Sequence, residues 1–302
     1  MQDSILLSII IVSWNVKQYL EQCLASIQPF AQTHACEVIV VDNCSSDGSV
    51  AWLEQNASHC TLIKSDKNIG FGPANNLGIR IAKGRYLFLL NPDTIVVGDA
   101  IESMLAFLES NPGTGCAGAK LLNPDRSLQV SSYPFPTVFR EFWRLFHLDQ
   151  FRVISQYPKK TWDSQQPVSV DVLQGAAIMI PRDVLDQAGV FDERFFMYTE
   201  EVDLCYRIKK IGFQNFWLPN AEVIHFGGQS TRQAALSMFL ELYASKVRFI
   251  RKYHQEIGAT IYKLVIFGAS AGRVFASLFS STPGAKVVRS NYWALMCSVV
   301  RM

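Results

Sequence analysis

Between Ile5 and Asn91 the chain repeats one pattern: a short apolar, often β-branched run stops at a polar cluster, and a helix-spaced stretch follows. The runs lie at 5–13, 37–41, 60–64 and 86–90, the last reading Tyr86-Leu-Phe-Leu-Leu90. A run that is apolar at nearly every position is what a strand buried on both faces looks like. Strand and helix alternate four times in about ninety residues, so the expected class is α/β with a parallel central sheet. In open sheets of that kind, ligands sit outside the carboxyl ends of the strands. The polar clusters at those ends are therefore the candidate functional positions.

The fourth run ends most abruptly, at Asn91-Pro92-Asp93. Pro92 has no N–H for a ladder, so the strand should stop near Asn91 and leave the Asp93 carboxylate just beyond it. A hard cation holding a diphosphate needs such an oxygen, and Mg²⁺ takes only one or two protein carboxylates. The same residues also read as a plain turn with Asp93 capping the next element. The first run ends at Trp14-Asn15 with no G-x-G-x-x-G after it, so the dinucleotide fingerprint is absent where it would stand. Tyr19, Leu20, Cys23, Leu24 and Ile27 keep helical spacing, and Pro29 is expected to stop that helix. The cluster from Asp42 to Ser49 supplies caps for a helix around 49–56.

After residue 94 the regularity fades. A helix at about 99–110 and strands near 115–122, 176–180 and 214–218 are expected, with a helix starting after Thr199, where acids suit the helix dipole. Residues 123–167, with Phe139, Phe142, Trp143 and Phe146, fit no sheet and read as an irregular functional loop or lid. From 231 the chain reads as helical and basic, with Lys246, Arg248, Arg251, Lys252, Lys263 and Arg273. Residues 261–280 are long enough to span a bilayer, but their two cations and several Gly and Ser argue against a true span. Two readings stay open: peripheral contact of an amphipathic tail with an anionic membrane, and an ordinary packed helical hairpin. A net charge of +2 is too small to argue for a nucleic-acid partner. Seven scattered cysteines without a C-x₂-C pair fit a reducing compartment. No basic n-region or cleavage site accompanies the Ile5 run, so no signal peptide is expected, and the protein reads as cytoplasmic, at most lying on the inner face of the membrane.

Together, the motifs resemble a family-2 glycosyltransferase of the inverting GT-A fold, closest to the rhamnosyltransferase-like branch that builds bacterial cell-surface polysaccharide. The resemblance rests on Ser8-Ile-Ile-Ile-Val-Ser-Trp-Asn15, Val40-Val-Asp-Asn43 with Ser46-Asp-Gly48, and Asn68-Ile-Gly-Phe-Gly72 with Asn75-Asn76. It continues through Asn91-Pro-Asp93, Gly175-Ala-Ala177, Phe195-Phe-Met-Tyr198 with Glu200-Glu-Val-Asp-Leu204, and His225 to Ser230. It covers about residues 5–232, which makes 1–232 the expected GT-A domain and 233–302 a helical, basic and apolar extension. What it implies is a Rossmann-like, mostly parallel sheet flanked by helices, a nucleotide-sugar donor, a divalent cation (Mg²⁺ or Mn²⁺), and a saccharide or lipid-linked acceptor.

The resemblance also implies residue roles. Donor binding falls to Ser13, Asn15, Asp42, Asn43, Asp47, Asn68, Gly70, Asn75 and Asn91, with Asp42 accepting from the pyrimidine ring N–H. Asp93 and His225 would hold the metal, and Asn91 stands where many relatives carry a further acid. A histidine ligand would tilt the choice towards Mn²⁺, while a strand-end histidine satisfied by backbone is the structural alternative. The base is expected from Glu200, Glu201 and Asp203: many relatives read Glu-Asp here, so Glu201 takes the place of the second acid, with Glu200 or Asp203 orienting it. Clustered carboxylates raise one another's pKa, which suits a base near neutrality. Arg207 is expected to pair with one of these acids, Trp14 and Phe71 to be walls or core, and Cys205 a small buried hydrophobe. The donor sugar that best matches the motif set is rhamnose, from dTDP-rhamnose. A nucleotidyltransferase would want a Gly-rich basic loop where Trp14-Asn15-Val16-Lys17 stands, and a non-catalytic sugar-nucleotide-binding protein would not need the acids.

Overall fold

The computed structural model describes residues 5–280, 282 and 284–302. The chain forms two compact units, the first comprising residues 1–133, 159–196 and 200–233, and the second 134–158, 197–199 and 234–302.

The first unit opens with β1 (Leu7–Ser13), α1 (Lys17–Thr33), β2 (Cys36–Asp42), α2 (Ser49–Asn56), β3 (Thr61–Lys64), α3 (Phe71–Ile81) and β4 (Tyr86–Leu90). There follow β5 (Thr94–Val96), α4 (Ala100–Ser110), β6 (Thr114–Leu122) and β7 (Ser132–Tyr133), then α5 (Val138–Leu145) in the second unit. The chain returns to the first unit with β8 (Val168–Val170), β9 (Val172–Leu173), β10 (Ala177–Pro181), α6 (Arg182–Ala188), α7 (Glu200–Lys210) and β11 (Gln214–His225). The main sheet runs β3-β2-β1-β4-β10-β6-β11-β5, with β8 also on β11, while β7 and β9 form a small separate ladder.

Strands β1, β2, β3 and β4 are mutually parallel, as expected, with the apolar β1 and β4 inside and the half-exposed β3 at the edge; β10 enters antiparallel between β4 and β6. All residues of β1 and β4 are buried. Ile9 and Ile11 of β1 join Val40, Phe88, Leu90, Met104 and Met179 in one core. In register, Ser13 lies beside Asp42 and Ile11 beside Leu90, so three strands end along one edge. Neighbours β2 and β4 flank β1, and a strand order that reverses there opens a crevice at that edge.

Three expectations need correction. Helix α1 passes through Pro29 to Thr33. Proline removes one i→i−4 bond, yet the helix continues because Phe30 is buried in the core and its carbonyl still accepts from the His34 N–H at 3.1 Å. Strand β11 runs on to His225, past Pro219, because the ladder to β6 slips at a bulge between Leu218 and Glu222 and resumes. Residues 123–167 are not wholly irregular: they contain β7 and α5, whose start Thr137 caps by accepting the Arg140 N–H at 3.1 Å. Helix α5 escaped pattern reading because it is inverted, with Glu141 buried and Phe139, Phe142 and Phe146 exposed.

The second unit joins α5 to α8 (Ala235–Leu278) and α9 (Ala285–Val299), which pack as helix on helix. Helix α8 is broken at Gln255, where φ is +60°. Glu141 ties these elements together: it accepts from Lys246 Nζ at 3.0 Å, Arg144 Nη2 at 2.7 Å and the Tyr262 hydroxyl at 3.0 Å. Burial alone would push this acid up, but the two cations outweigh it and bring its pKa from 4.5 to about 2. A pKa lowered on folding stabilises above the unfolded value and is lost as pH falls towards the folded one. Thermal unfolding followed by circular dichroism should therefore show helix stability falling from about pH 4.5 towards pH 2. Glu141→Gln should remove roughly 3 kcal/mol at neutral pH and flatten that acid limb; an unchanged acid limb would show that the cluster does not set it.

Candidate active site

The crevice begins where β1 and β2 end. Asp42 is buried; its Oδ2 accepts the Ser45 N–H at 2.9 Å, while Oδ1 is buried with no hydrogen-bond partner. Its register neighbour Ser13 is fully buried and its Oγ is likewise unpartnered. An unmet buried polar atom costs about 1–3 kcal/mol, a cost that a donor from a ligand would relieve. Asn15, in the left-handed region at φ +52°, joins the two strand-end loops: its Oδ1 accepts the Ser46 N–H at 2.7 Å and its N–H donates to Ser45 Oγ at 3.0 Å. The Gln233 amide donates to the Asn15 carbonyl, and Ser230 Oγ to the Trp14 carbonyl, so the segment after β11 closes over the same loop. A cavity of about 400 Å³ lies there, lined by Asn15, Lys17, Tyr19, Asp47, Gln229 and Gln233 among others.

Several residues expected to bind the donor also hold loops. Asp47 accepts the Lys17 N–H at 2.8 Å and the Ser49 N–H at 3.0 Å, so one carboxylate serves the first turns of both α1 and α2. Asn43 donates to Asn68 Oδ1 and the Gly70 carbonyl and accepts the Ile69 N–H, pinning the loop before α3. Asn68 also accepts the Gly70 N–H, and Asn75 donates back to the Phe71 carbonyl. Gly70, at φ +92°, lies against the Phe196 carbonyl so closely that a Cβ would collide with it.

Past β4, Asn91, Asp93 and His225 converge. His225 Nε2 is 3.4 Å from Asp93 Oδ1 and 3.5 Å from Asn91 Nδ2, and Asn91 Oδ1 is buried without a partner. Gln129 fixes the ring. Its amide nitrogen donates to Asn123 Oδ1 and the His225 carbonyl, so its Oε1 is the acceptor that faces His225 Nδ1 at 2.7 Å. Nδ1 therefore carries the proton, and in the neutral ring Nε2 turns its lone pair towards Asp93. A lone pair facing a carboxylate, with an orphaned amide oxygen beside them, is a donor set that a divalent cation fits, and the Gln129 bond is the outer support that metal-binding histidines use. No group of three or more His, Cys, Asp or Glu suited to a metal occurs among the described residues, so water and diphosphate oxygens would have to complete the coordination of a cation held here.

The acids of α7 separate by burial. Asp203 is fully buried and accepts from Arg207 Nε at 2.9 Å; Arg207 also donates to the carbonyls of Ala188, Gly189 and Val190, fastening the end of α6. Glu200 is buried, its Cβ beside Gly72. Glu201 alone of the three is only half buried, against Gly175, which also touches Phe71. The Tyr133 hydroxyl donates to Glu201 Oε1 at 2.9 Å. Burial and the neighbouring Glu201 carboxylate hold that phenol well above its ordinary pKa, so it remains a donor. Tyr198 and Thr199, just before the acids, both have positive φ (63° and 70°), a costly pair for residues with side chains. Tyr133 and Gln129 escaped sequence reading because each lies in the segment that carried no periodic signal; nothing local marks them.

Residues 8–187 match the family described as Glycosyl transferase family 2, well over half of the chain. An N-acetylglucosaminyl-diphospho-decaprenol L-rhamnosyltransferase of Mycobacterium tuberculosis is 28% identical over 269 residues, 82% of this chain and 85% of its own. The rhamnosyltransferase WbbL of Escherichia coli K12 is 25% identical over 253 residues, 81% of this chain and 92% of its own. The solved structure of GalNAc-T7 with UDP, GalNAc and Mn²⁺ superposes with a TM-score of 0.63 at 12% identity, over 100% of this chain and 57% of that longer one. The fold is GT-A, and the chain belongs to glycosyl transferase family 2. Its activity class is glycosyl transfer from a nucleotide-sugar donor.

Because Asp47 serves two helix starts, Asp47→Ala should cost about 1–2 kcal/mol of stability. Thermal unfolding checks this; an unchanged melting temperature would show that the shared carboxylate contributes nothing.

Proposed function

We propose that this chain is an inverting rhamnosyltransferase that takes rhamnose from dTDP-rhamnose and adds it to a lipid-linked saccharide during cell-surface polysaccharide synthesis, at the inner face of the membrane. The observation that carries the site reading is the orphaned Asp42 Oδ1 beside the orphaned Ser13 Oγ, one strand from Asn91, Asp93 and His225. Thymine and uracil each present a ring N–H that matches Asp42 Oδ1. The sugar and acceptor rest on likeness to the two rhamnosyltransferases, one of which is named for a decaprenol-diphosphate-linked substrate. We assign residues 1–232 to catalysis and 233–302 to a membrane-facing extension.

In this reading Asp93, His225 and Asn91 hold a divalent cation, which when bound supplies Lewis-acid neutralisation of the departing diphosphate. An imidazole nitrogen in the set favours Mn²⁺ over Mg²⁺. Glu201 is the base. It is only half buried, unlike Glu200 and Asp203, and the Tyr133 hydroxyl donates to its Oε1. The acceptor oxygen bonds to the anomeric carbon as the bond from that carbon to the diphosphate oxygen breaks, and the hydroxyl proton passes to Glu201; one displacement inverts the centre. Asp203, tied to Arg207, anchors α7 rather than exchanging protons.

Support for the membrane comes from the second unit. Ile257, Leu264, Phe275, Phe279, Trp293 and Val300 are more than half exposed. Beyond Glu256 the chain has Lys263, Arg273, Lys286, Arg289 and Arg301 and no acid. Exposed apolar groups with unopposed cations suit the surface of an anionic bilayer. Helix α8 has the length and composition to cross a membrane, which by itself is weak evidence for a span.

Donor hydrolysis and calorimetry across UDP-, dTDP- and GDP-sugars with Mn²⁺, Mg²⁺ or EDTA test the reading. A dTDP-sugar should bind and turn over with metal. Asp42→Ala should weaken nucleotide binding about 10–100-fold, the worth of one charge-assisted hydrogen bond. Glu201→Gln should lower turnover about 10²–10⁴-fold with donor binding unchanged. No nucleotide binding by the wild type, or near-normal turnover by Glu201→Gln, would overturn it.

A further inference from the structure

We propose that the helical unit carries a second binding site: a pocket formed by Arg144, His147, Arg273, Tyr243 and Tyr292 that receives the phosphate headgroup of an amphiphilic lipid. The pocket has a volume of about 460 Å³, and Leu145, Asp149 and Gln150 complete its lining. It shares no lining residue with the donor crevice, and it deepens the membrane reading above by naming the group that would be gripped.

Arg273 is the first element. Its guanidinium donates to the Ala269 carbonyl at 3.1 Å and the Leu145 carbonyl at 2.6 Å, meets His147 Nε2 at 3.0 Å, and lies over the Tyr292 ring at 5.1 Å. The two carbonyls and the Tyr292 ring carry no charge. Among the described residues no carboxylate comes within ion-pair distance of Arg273. The cation is thus oriented but not neutralised, the condition in which a guanidinium favours a phosphate.

Arg144 is the second. Its Nη2 is shared with Glu141, but its Nε is buried with no partner. A buried charged donor left unmet is costly, so the position makes sense when an acceptor arrives. Asp149 is the one acid in the lining; its oxygens accept the Ile154 N–H at 2.8 Å, the Ser155 N–H at 3.0 Å and the Ser155 hydroxyl, bonds that with Arg144 nearby hold it below its ordinary pKa, so the two guanidiniums outnumber one fixed anion. Burial, with Tyr292 as neighbour, keeps the Tyr243 phenol above its ordinary pKa and hence able to donate.

The surroundings select an amphiphile over a free anion. The segment that lines the pocket, 144–150, is bracketed by Phe142, Phe146 and Phe151, all exposed, and Trp293 beside Tyr292 is exposed as well. Two guanidiniums framed by exposed aromatic rings match a phosphate ester on an apolar chain. An isoprenoid diphosphate and an anionic phospholipid share that chemistry.

The test uses the full-length protein with three soluble probes, farnesyl diphosphate, inorganic diphosphate and farnesol, measured by calorimetry, and with vesicles of phosphatidylcholine with or without phosphatidylglycerol, measured by flotation. Farnesyl diphosphate should bind at one site, at least tenfold more tightly than either inorganic diphosphate or farnesol. Arg144→Gln should weaken it at least tenfold. His147→Asn, which tolerates the left-handed backbone at φ +56°, gives a second variant that leaves the Glu141 cluster intact and should weaken it several-fold. If the variants lose farnesyl diphosphate but float normally with phosphatidylglycerol, the source is the isoprenoid; if both are lost, the pocket takes bilayer headgroups too. Farnesol binding as well as its diphosphate, or wild-type affinity in both variants, would overturn the proposal. Binding of dTDP by the same samples reports on the transferase reading separately.

Discussion

Strand β1 is buried along its whole length and hydrogen-bonded in parallel on both sides, and the placement of the site follows from that. A strand in that position can carry polar chemistry only where it leaves the sheet. Its neighbours end at the same edge because the register is set by apolar side chains that would change faces if the pairing slipped by one residue. Helix α3 is pressed onto β1: a Cβ on Gly78 would come within 2.6 Å of Ile10 Cγ2. That close seat fixes the start of α3, where Phe71 donates its N–H to the Phe196 carbonyl at 2.8 Å, and Phe196 precedes the acids of α7 by only a few residues. The position of Glu201 is therefore tied, through α3, to the strand that also presents Ser13.

Buried polar groups in the first unit divide into two populations. Ser8 donates to Glu37, Asn76 bonds both the N–H and the carbonyl of Phe191, and Asn43 has its oxygen and nitrogen both engaged; these are structural and satisfied. Asp42 Oδ1 and Asn91 Oδ1 are not satisfied. Ser13, Thr114, Ser131, Ser132 and Trp217 also hold unpartnered buried atoms, and these, like the Asn91 amide, are neutral; Asp42 differs in being a carboxylate. A carboxylate oxygen left bare is more expensive, since its alternative is full hydration of a charge. That charged cost lies at the carboxyl edge of the sheet, where the nucleotide of the proposed donor would meet it.

The parallel half of the fold was legible because burial on two faces leaves an unmistakable trace: uninterrupted apolar runs with sharp polar ends. Asp42, Asn91 and Asp93 could be named because they stand at those ends. The loop-holding bonds of Asp47, Asn43 and Asn75 were not legible, since a residue that caps a loop and one that binds a ligand look alike in sequence when both are polar and follow a strand. Pro29 misled because it forfeits one backbone bond, a local loss that the packing of Phe30 outweighs, and the strand expected at 214–218 runs on because the β6 ladder resumes past its bulge. Tyr133 and Gln129 act across 68 and 96 residues of sequence, and contacts at that separation have no local signature.

Helix α5 reverses the usual rule for an amphipathic helix, and the inversion has a consistent physical cause within the second unit. Burying Glu141 is tolerable because Lys246, Arg144 and Tyr262 converge on it, each supplying a donor. Breaking such a set by removing one partner is far costlier than never building it. With that ion cluster fixing α5 to α8, the aromatic residues of α5 need not face inward to hold the helix. Phe139, Phe142 and Phe146 then remain outside, in the same unit that exposes Leu264, Phe275, Phe279 and Trp293. In water such a surface is unfavourable; against a bilayer it is a gain, roughly 25 cal/mol for each Å² covered. The unit thus buries one ion cluster within an apolar interior that includes Val247, Phe249, Ile250 and Ile266, and leaves aromatic groups outside, where the proposed lipid contact would cover them.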